Sequence, residues 1–174
     1  LTLIENDSFS HSSLVKIVIP SSLVRIGENA FGRCESLEKV EFEKNSQLKS
    51  IGKYIFSYSS IKEIVLPENL CEFDNEWCYN IFNLNSVSIL PENKRISILN
   101  SKIILRKSDS KSDIFDEIIF ACKDIKNVQI PSYVRYIKSC AFWNCSELET
   151  VEFESNSNLL SIEDNAFSGT NIKT

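Results

Sequence analysis

The chain has 174 residues, 43% of them hydrophobic and 25% charged, with a formal net charge of −5 and a pI near 5.0. That length suits one domain or a piece of a larger protein, and the acidic balance argues against a general nucleic-acid binder, which needs a basic face to displace counterions. No apolar run is long enough to span a bilayer, no signal-peptide pattern opens the chain, and a start at Leu1 with no Met anywhere leads us to expect a fragment.

In chain order, the opening "LTLIENDSFSHS" (1–12) reads as half of a unit. "LVKIVIP" (14–20) follows, and its skeleton of apolar-x-x-apolar-x-apolar-Pro returns as "LEKVEFE" (37–43), "IKEIVLP" (61–67), "LNSVSIL" (84–90), "IKNVQIP" (125–131) and "LETVEFE" (148–154), with a last copy begun at "IKT" (172–174). The starts at 14, 37, 61, 84, 125, 148 and 172 give steps of 23, 24, 23, 41, 23 and 24 residues. Between them a second skeleton recurs in "LVRIGENAFGRC" (23–34), "LKSIGKYIFSYS" (48–59), "VRYIKSCAFWNC" (134–145) and "LLSIEDNAFSGT" (159–170). The step of 41 predicts a hidden repeat opening near Lys102, with Ile114 in the place of Ile26, Cys122 in the place of Cys34, and a polar insert "KSDSKSD" (107–113). About seven turns result over 1–174, with partial turns at 1–13 and 172–174.

A unit this short cannot bury enough apolar surface to fold alone. Stacked copies bury both faces of each turn and pair its backbone with its neighbours. The period-two pattern turns Leu14, Ile17 and Ile19 inward and Lys16 and Val18 outward. The first skeleton therefore predicts one long parallel sheet, in which Pro20, Pro67 and Pro131 stand at strand ends and leave the ladder intact. The second predicts tight turns carrying an inner spine of Phe31, Phe56, Phe142 and Phe167.

These motifs resemble the BspA-like, or Treponema pallidum-type, leucine-rich repeat, typified by L-x-x-I-x-I-P followed by x-x-I-G-x-x-A-F-x-x-C. Residues 14–34 and 125–145 carry the resemblance best, while 68–122 departs from it. It implies a mostly β, right-handed solenoid with a curved parallel concave sheet, and short strands with single helical or 3-10 turns on the other side. The family occurs in anaerobic bacteria and is expanded in trichomonad parasites. Its members are described as surface proteins that bind host or matrix proteins, so the resemblance implies a non-enzymatic module of a surface or secreted adhesion-type protein.

The outward positions of the first strands are Lys16, Val18, Lys39, Glu41, Glu63, Val65, Ser86, Ser88, Asn127, Gln129, Thr150 and Glu152. They form a broad polar face with no deep apolar pocket, which suits a protein or glycan partner better than a small molecule. The competing reading is that this face is merely solvated. Cut solenoid ends also point to end-to-end self-association.

Residues that could carry chemistry do not converge. Cys34, Cys122 and Cys145 share one repeat slot and read as small core fillers; Cys71 and Cys78 fall in core-type slots, and Cys140, matching Asn29, is the expected exposed thiol. No C-x-x-C is present and the spacing is not that of a zinc site. His11, the single histidine, falls in a turn, and Asp109 and Asp113 lack the ligand density of a calcium loop. No enzyme and no cofactor are expected. Sequons at Asn6 and Asn144 fit a secretory route, whereas six thiols fit a reducing compartment and an intracellular scaffold. Both localisations stay open on the sequence.

Overall fold

The structure, a computed structural model, describes residues 1–173, so Thr174 at the end of the truncated last copy lies outside the described residues. Its strands in chain order are β1 (Leu3–Ile4), β2 (Lys16–Ile19), β3 (Arg25–Ile26), β4 (Lys39–Phe42), β5 (Ser50–Ile51), β6 (Glu63–Leu66), β7 (Glu72–Phe73), β8 (Ser86–Ile89), β9 (Ile96–Leu99), β10 (Ile103–Arg106), β11 (Glu117–Ala121), β12 (Asn127–Ile130), β13 (Tyr136–Ile137), β14 (Thr150–Phe153) and β15 (Ser161–Ile162). They wind as a solenoid. The first-row strands are β2, β4, β6, β8, β12 and β14; the short strands β1, β3, β5, β7, β13 and β15 form a second row.

β6 and β12 keep the expected alternation: Ile64 and Leu66 are buried while Glu63 and Val65 are exposed, and Val128 and Ile130 are buried while Asn127 and Gln129 are exposed, whereas in the last strand, β14, Val151 is half-buried and Phe153 exposed. The first row is not one continuous sheet. It consists of three parallel two-stranded ladders, β2–β4, β6–β8 and β12–β14. A proline marks one of the divisions. The residue after each second strand donates its N–H to the first strand: Glu43 to Ile19 O at 3.0 Å, Leu90 to Leu66 O at 3.2 Å and Glu154 to Ile130 O at 3.0 Å. Pro67 stands at that position after β6 and has no N–H to give, so this bond is missing between the neighbouring strands β4 and β6. The other division falls where residues 96–121 intervene between β8 and β12. The expectation that the prolines leave the ladder intact is corrected at Pro67.

The turn side contains no helix among the described residues, in place of the expected single helical turns. Each regular turn instead carries two left-handed residues four apart: Asp7 and His11, Asn29 and Arg33, Tyr54 and Tyr58, Glu76 and Asn80, Cys140 and Asn144, Asn165 and Gly169. This alternation points every second N–H along the solenoid axis. Asn29, Phe31 and Arg33 donate to Lys53, Ile55 and Ser57 of the next turn at 2.8, 3.1 and 2.7 Å. The inter-turn bonds offset the roughly 1 kcal/mol or more that each left-handed L-residue costs. Gly52 follows β5 because a Cβ there would lie 2.5 Å from Glu28 N, so only glycine permits this approach of adjacent turns. Inside, Phe9, Phe31 and Phe56 stack at centroid distances of 5.2 and 5.9 Å, and Phe142 stacks on Phe167 at 4.8 Å. The spine is therefore two stacks and not one.

Residues 96–121 interrupt the pattern. β9, β10 and β11 form an antiparallel meander, and only β11 rejoins the second row, pairing in parallel with β13. The sequence expectation of a parallel repeat strand opening at Lys102 is thus overturned: β10 runs against both of its neighbours. Ile118, paired with Ile137, occupies the place of Ile26, whereas Ile114, expected there, is 54% exposed. Cys122 does hold the expected slot, since Ile125 N bonds Cys122 O as Leu37 N bonds Cys34 O. The meander divides the core. Ile104, Ile119 and Phe120 belong to the cluster built from the preceding turns, while Ile103, Leu105 and Ile118 belong to the cluster built from the following ones.

Candidate partner-binding face

The outward first-row side chains lie where strand alternation predicts. Lys16, Lys39, Glu63, Ser86, Ser88, Asn127, Gln129 and Glu152 are exposed, and Glu41 and Thr150 half-buried. Because β2 and β4 are in register, Lys16 stands beside Lys39 and Val18 beside Glu41. The Glu41 carboxylate bridges both lysines, at 2.7 Å to Lys16 and 2.8 Å to Lys39. Their hydrogen bonds and charges pull the Glu41 carboxyl down to about 2, and Glu41 in turn raises the Lys39 ammonium. In β12–β14, Thr150 Oγ1 donates to Asn127 Oδ1. The face thus has a charged, internally paired part at β2–β4 and a hydrogen-bonded part at β12–β14 whose one charge is Glu152.

The structure adds residues that strand alternation alone does not reveal. Lys44, Pro67 and Leu90 join Val18, Lys39, Glu41, Glu63 and Val65 around an open depression of about 470 Å³ between β4 and β6. Val18 and Val65 are 49% and 50% exposed there. On the turn side, the Arg33 guanidinium lies 5.2 Å from the Tyr58 ring centroid, and Tyr58 meets Phe82 edge-on at 5.7 Å. Arg33 and Tyr58 share one left-handed slot, a signal the sequence does carry once the two-residue rhythm is known.

The thiols are arranged otherwise than expected. All six are unpaired, and Cys34, Cys78, Cys122, Cys140 and Cys145 are buried. Cys140, expected to be exposed, is fully covered because the turn before it runs straight through β11 and lets Cys78 reach within 3.5 Å of Cys140 O. Cys71, assigned to a core slot, is the half-exposed one, since its counterpart Val24 is itself an exposed position. Burial pushes Cys78 up to about 12 and Cys122 and Cys140 up to about 11. Cys34 Sγ donates to Phe9 O of the preceding turn at 3.0 Å, and Cys145 Sγ to Cys122 O at 3.6 Å, so this slot ties turns together.

Among the described residues no cluster of three or more His, Cys, Asp or Glu could hold a metal ion, and no helix is long and apolar enough to cross a membrane. His11 is exposed in a left-handed turn position. Asp109 accepts from the Lys111 N–H within its own loop, and Asp113 pairs with Lys107 at 3.8 Å.

No protein with a curated description shows a significant sequence match to the chain. Among solved structures, the pneumococcal vaccine antigen PcpA superposes with a TM-score of 0.87 at 22% identity, over 97% of this chain and 40% of that one. A leucine-rich repeat protein from Eubacterium ventriosum superposes with a TM-score of 0.74 at 21% identity, over 97% of this chain and 49% of that one. The chain therefore spans less than half the length of either, and at these identities the likeness is one of fold. The family described as BspA type leucine rich repeat region matches residues 2–103 and 112–174 in six copies. With nearly the whole sequence matched, the chain belongs to the BspA-type leucine-rich repeat family, whose repeat fold is typical of protein-interaction modules.

Proposed function

We propose that the chain, as one solenoid unit over 1–174, is a non-enzymatic interaction module of a surface or secreted repeat protein. It recognises a protein or glycan partner on the first-row face through Lys16, Lys39, Glu41, Glu63, Ser86, Ser88, Asn127, Gln129, Thr150 and Glu152. The observation that supports this reading most is the outward placement of these polar side chains along successive strands, most of which turn their apolar side chains into the core. A broad polar surface of this kind is suited to an extended contact of modest apolar content. The fold's likeness to a pneumococcal vaccine antigen favours a surface location.

Charge reversal tests the face. Lys39→Glu and Glu63→Lys should weaken the complex at least tenfold with the circular dichroism spectrum unchanged, whereas reversal at the turn-side residues Lys62 or Glu149 should change affinity less than twofold. Equal effects at the two sites would remove the binding face from the first row.

The five buried free thiols favour a second reading, an intracellular scaffold in a reducing compartment. Localisation of the full-length protein, combined with thiol counting on material from its native source, separates the two.

A further inference from the structure

The depression between β4 and β6 is where the first-row face departs from a uniform sheet. β4 and β6 are neighbours, yet no ladder joins them. Val65, Pro67 and Leu90 give it an apolar floor, with Val18 at its edge. Its charges are not equivalent. Lys16, Glu41 and Lys39 satisfy one another, whereas Glu63 and Lys44 have no ion-pair partner among the described residues. Glu63 opens β6, and Lys44 lies two residues past the end of β4. The unpaired acid at the start of β6 and the unpaired base beyond the end of β4 thus line the depression from opposite ends.

We infer that this depression is the anchor point of the first-row face, and that it takes an extended protein segment carrying a basic residue, a central aliphatic residue and an acidic residue. The inference rests on the proposed use of the first-row face and names the partner chemistry for it. The aliphatic side chain removes the Val65, Pro67 and Leu90 floor from water, the kind of small, desolvated contact that carries most binding energy in a polar interface. The two unpaired charges fix the direction of the segment and reject its reverse, because like charges would meet at both ends.

The test is selection of a random 12-residue peptide library displayed on phage against the intact protein, followed by titration of the synthesised consensus peptide. The expected result is enrichment of basic–aliphatic–acidic sequences in one direction. Val65→Asp should weaken the consensus peptide at least tenfold, and Glu63→Lys should shift selection to an acidic first residue, each variant keeping its circular dichroism spectrum. Val65 is half-exposed, so its replacement leaves the core untouched; Glu63→Lys, at an exposed site, provides a second variant that does not alter apolar packing. No enrichment above background, or peptides indifferent to both substitutions, overturns the inference. Peptides lost on Gln129→Lys but not on Val65→Asp would also overturn it while leaving the first-row reading intact. Peptides lost only on Tyr58→Ala would overturn both.

Discussion

Residues 14–83 and residues 96–121 use the same side chains, chiefly Ile, Leu and Phe, to opposite ends. In the regular turns each strand buries one face, so apolar and polar positions alternate, as in Glu63–Leu66. In the meander β10 and β11 are buried on both faces, between two core clusters, and "IILR" and "EIIFA" show almost no alternation. A strand with two apolar faces gives no sign of which side is in, and register becomes free to follow tertiary demands. The lesson is that a repeat protein holds its period where one face must stay wet and loses it where a wall separates two cores.

The wall brings charges inside with it. Arg106 at the end of β10 bonds Glu117 at the start of β11, Nε–Oε2 at 2.8 Å and Nη2–Oε2 at 2.7 Å, and Glu117 is nearly covered. Asp116 is buried too and accepts from the Ser108 N–H and Oγ at 2.8 Å each, pinning the loop 107–116 back onto the meander. Regular turns have side-chain ties as well, such as Lys138 to Glu163, but add them to inter-turn backbone bonds.

The largest effect expected is in the regular region. Phe142→Ala removes a fully buried ring stacked on Phe167 and should destabilise by about 3–5 kcal/mol. Lys39→Ala, at an exposed site, should stay within about 0.5 kcal/mol. Equal midpoint shifts in denaturant would break the register assigned to the repeats. In the wall, Glu117→Gln should cost about 2–4 kcal/mol by leaving a largely buried guanidinium unpaired, and Arg106→Met combined with Glu117→Leu should recover most of it. A double variant as unstable as the single one would show that packing, and not the charge pair, holds the meander.

Thiol labelling sharpens the comparison without a stability change. In the native protein Cys71 should react first, and Cys34, Cys78, Cys122, Cys140 and Cys145 only on unfolding, because burial blocks access to all five and also raises the thiols of Cys78, Cys122, Cys140 and Cys145. Mass spectrometry after a short pulse of reagent reads this directly, and early labelling of Cys140 would contradict the packing of Cys78 against it.

The smallest effect is at the surface triad. Glu41 should titrate near pH 2, below the usual carboxylate range, because Lys16 and Lys39 hold its charged form. Its folded-state value lies below its unfolded one, so whatever stability the triad contributes is fully present above the ordinary range and lost as the pH falls toward 2. The contribution is small at so exposed a site. Side-chain NMR of Glu41 in wild type and in Lys16→Ala should show the midpoint rising in the variant, and an unchanged midpoint would remove Lys16 from the triad.

The parts of the fold legible in sequence are those that repeat. The inward and outward positions of the first strands follow from alternation, and the Phe stacks from the second skeleton. Three things were hidden for physical reasons. The break between β4 and β6 coincides with a missing N–H at Pro67, which matters only when a neighbour's carbonyl is known to face it. The burial of Cys140 depends on the turn before it, 41 residues long, which no local pattern predicts. The anchor depression depends on that same break between β4 and β6, so the outward residues could be named while the site that unites some of them could not.

The account turns on the contrast between parallel turns and an antiparallel wall, and cross-strand NOE measurement on uniformly labelled protein tests it most directly. Adjacent antiparallel strands bring Hα atoms of facing residues close together at their non-hydrogen-bonded pairs, which parallel strands never do. The account predicts Hα–Hα contacts at the alternate, non-hydrogen-bonded pairs among Ile103–Leu99, Ile104–Ile98, Leu105–Ser97 and Arg106–Ile96, and likewise in β10–β11, with none across β2–β4 or β12–β14. Their absence from 96–121, with parallel-type contacts from Lys102–Leu105 to Ser86–Ile89 instead, would contradict it and restore a regular repeat at that point.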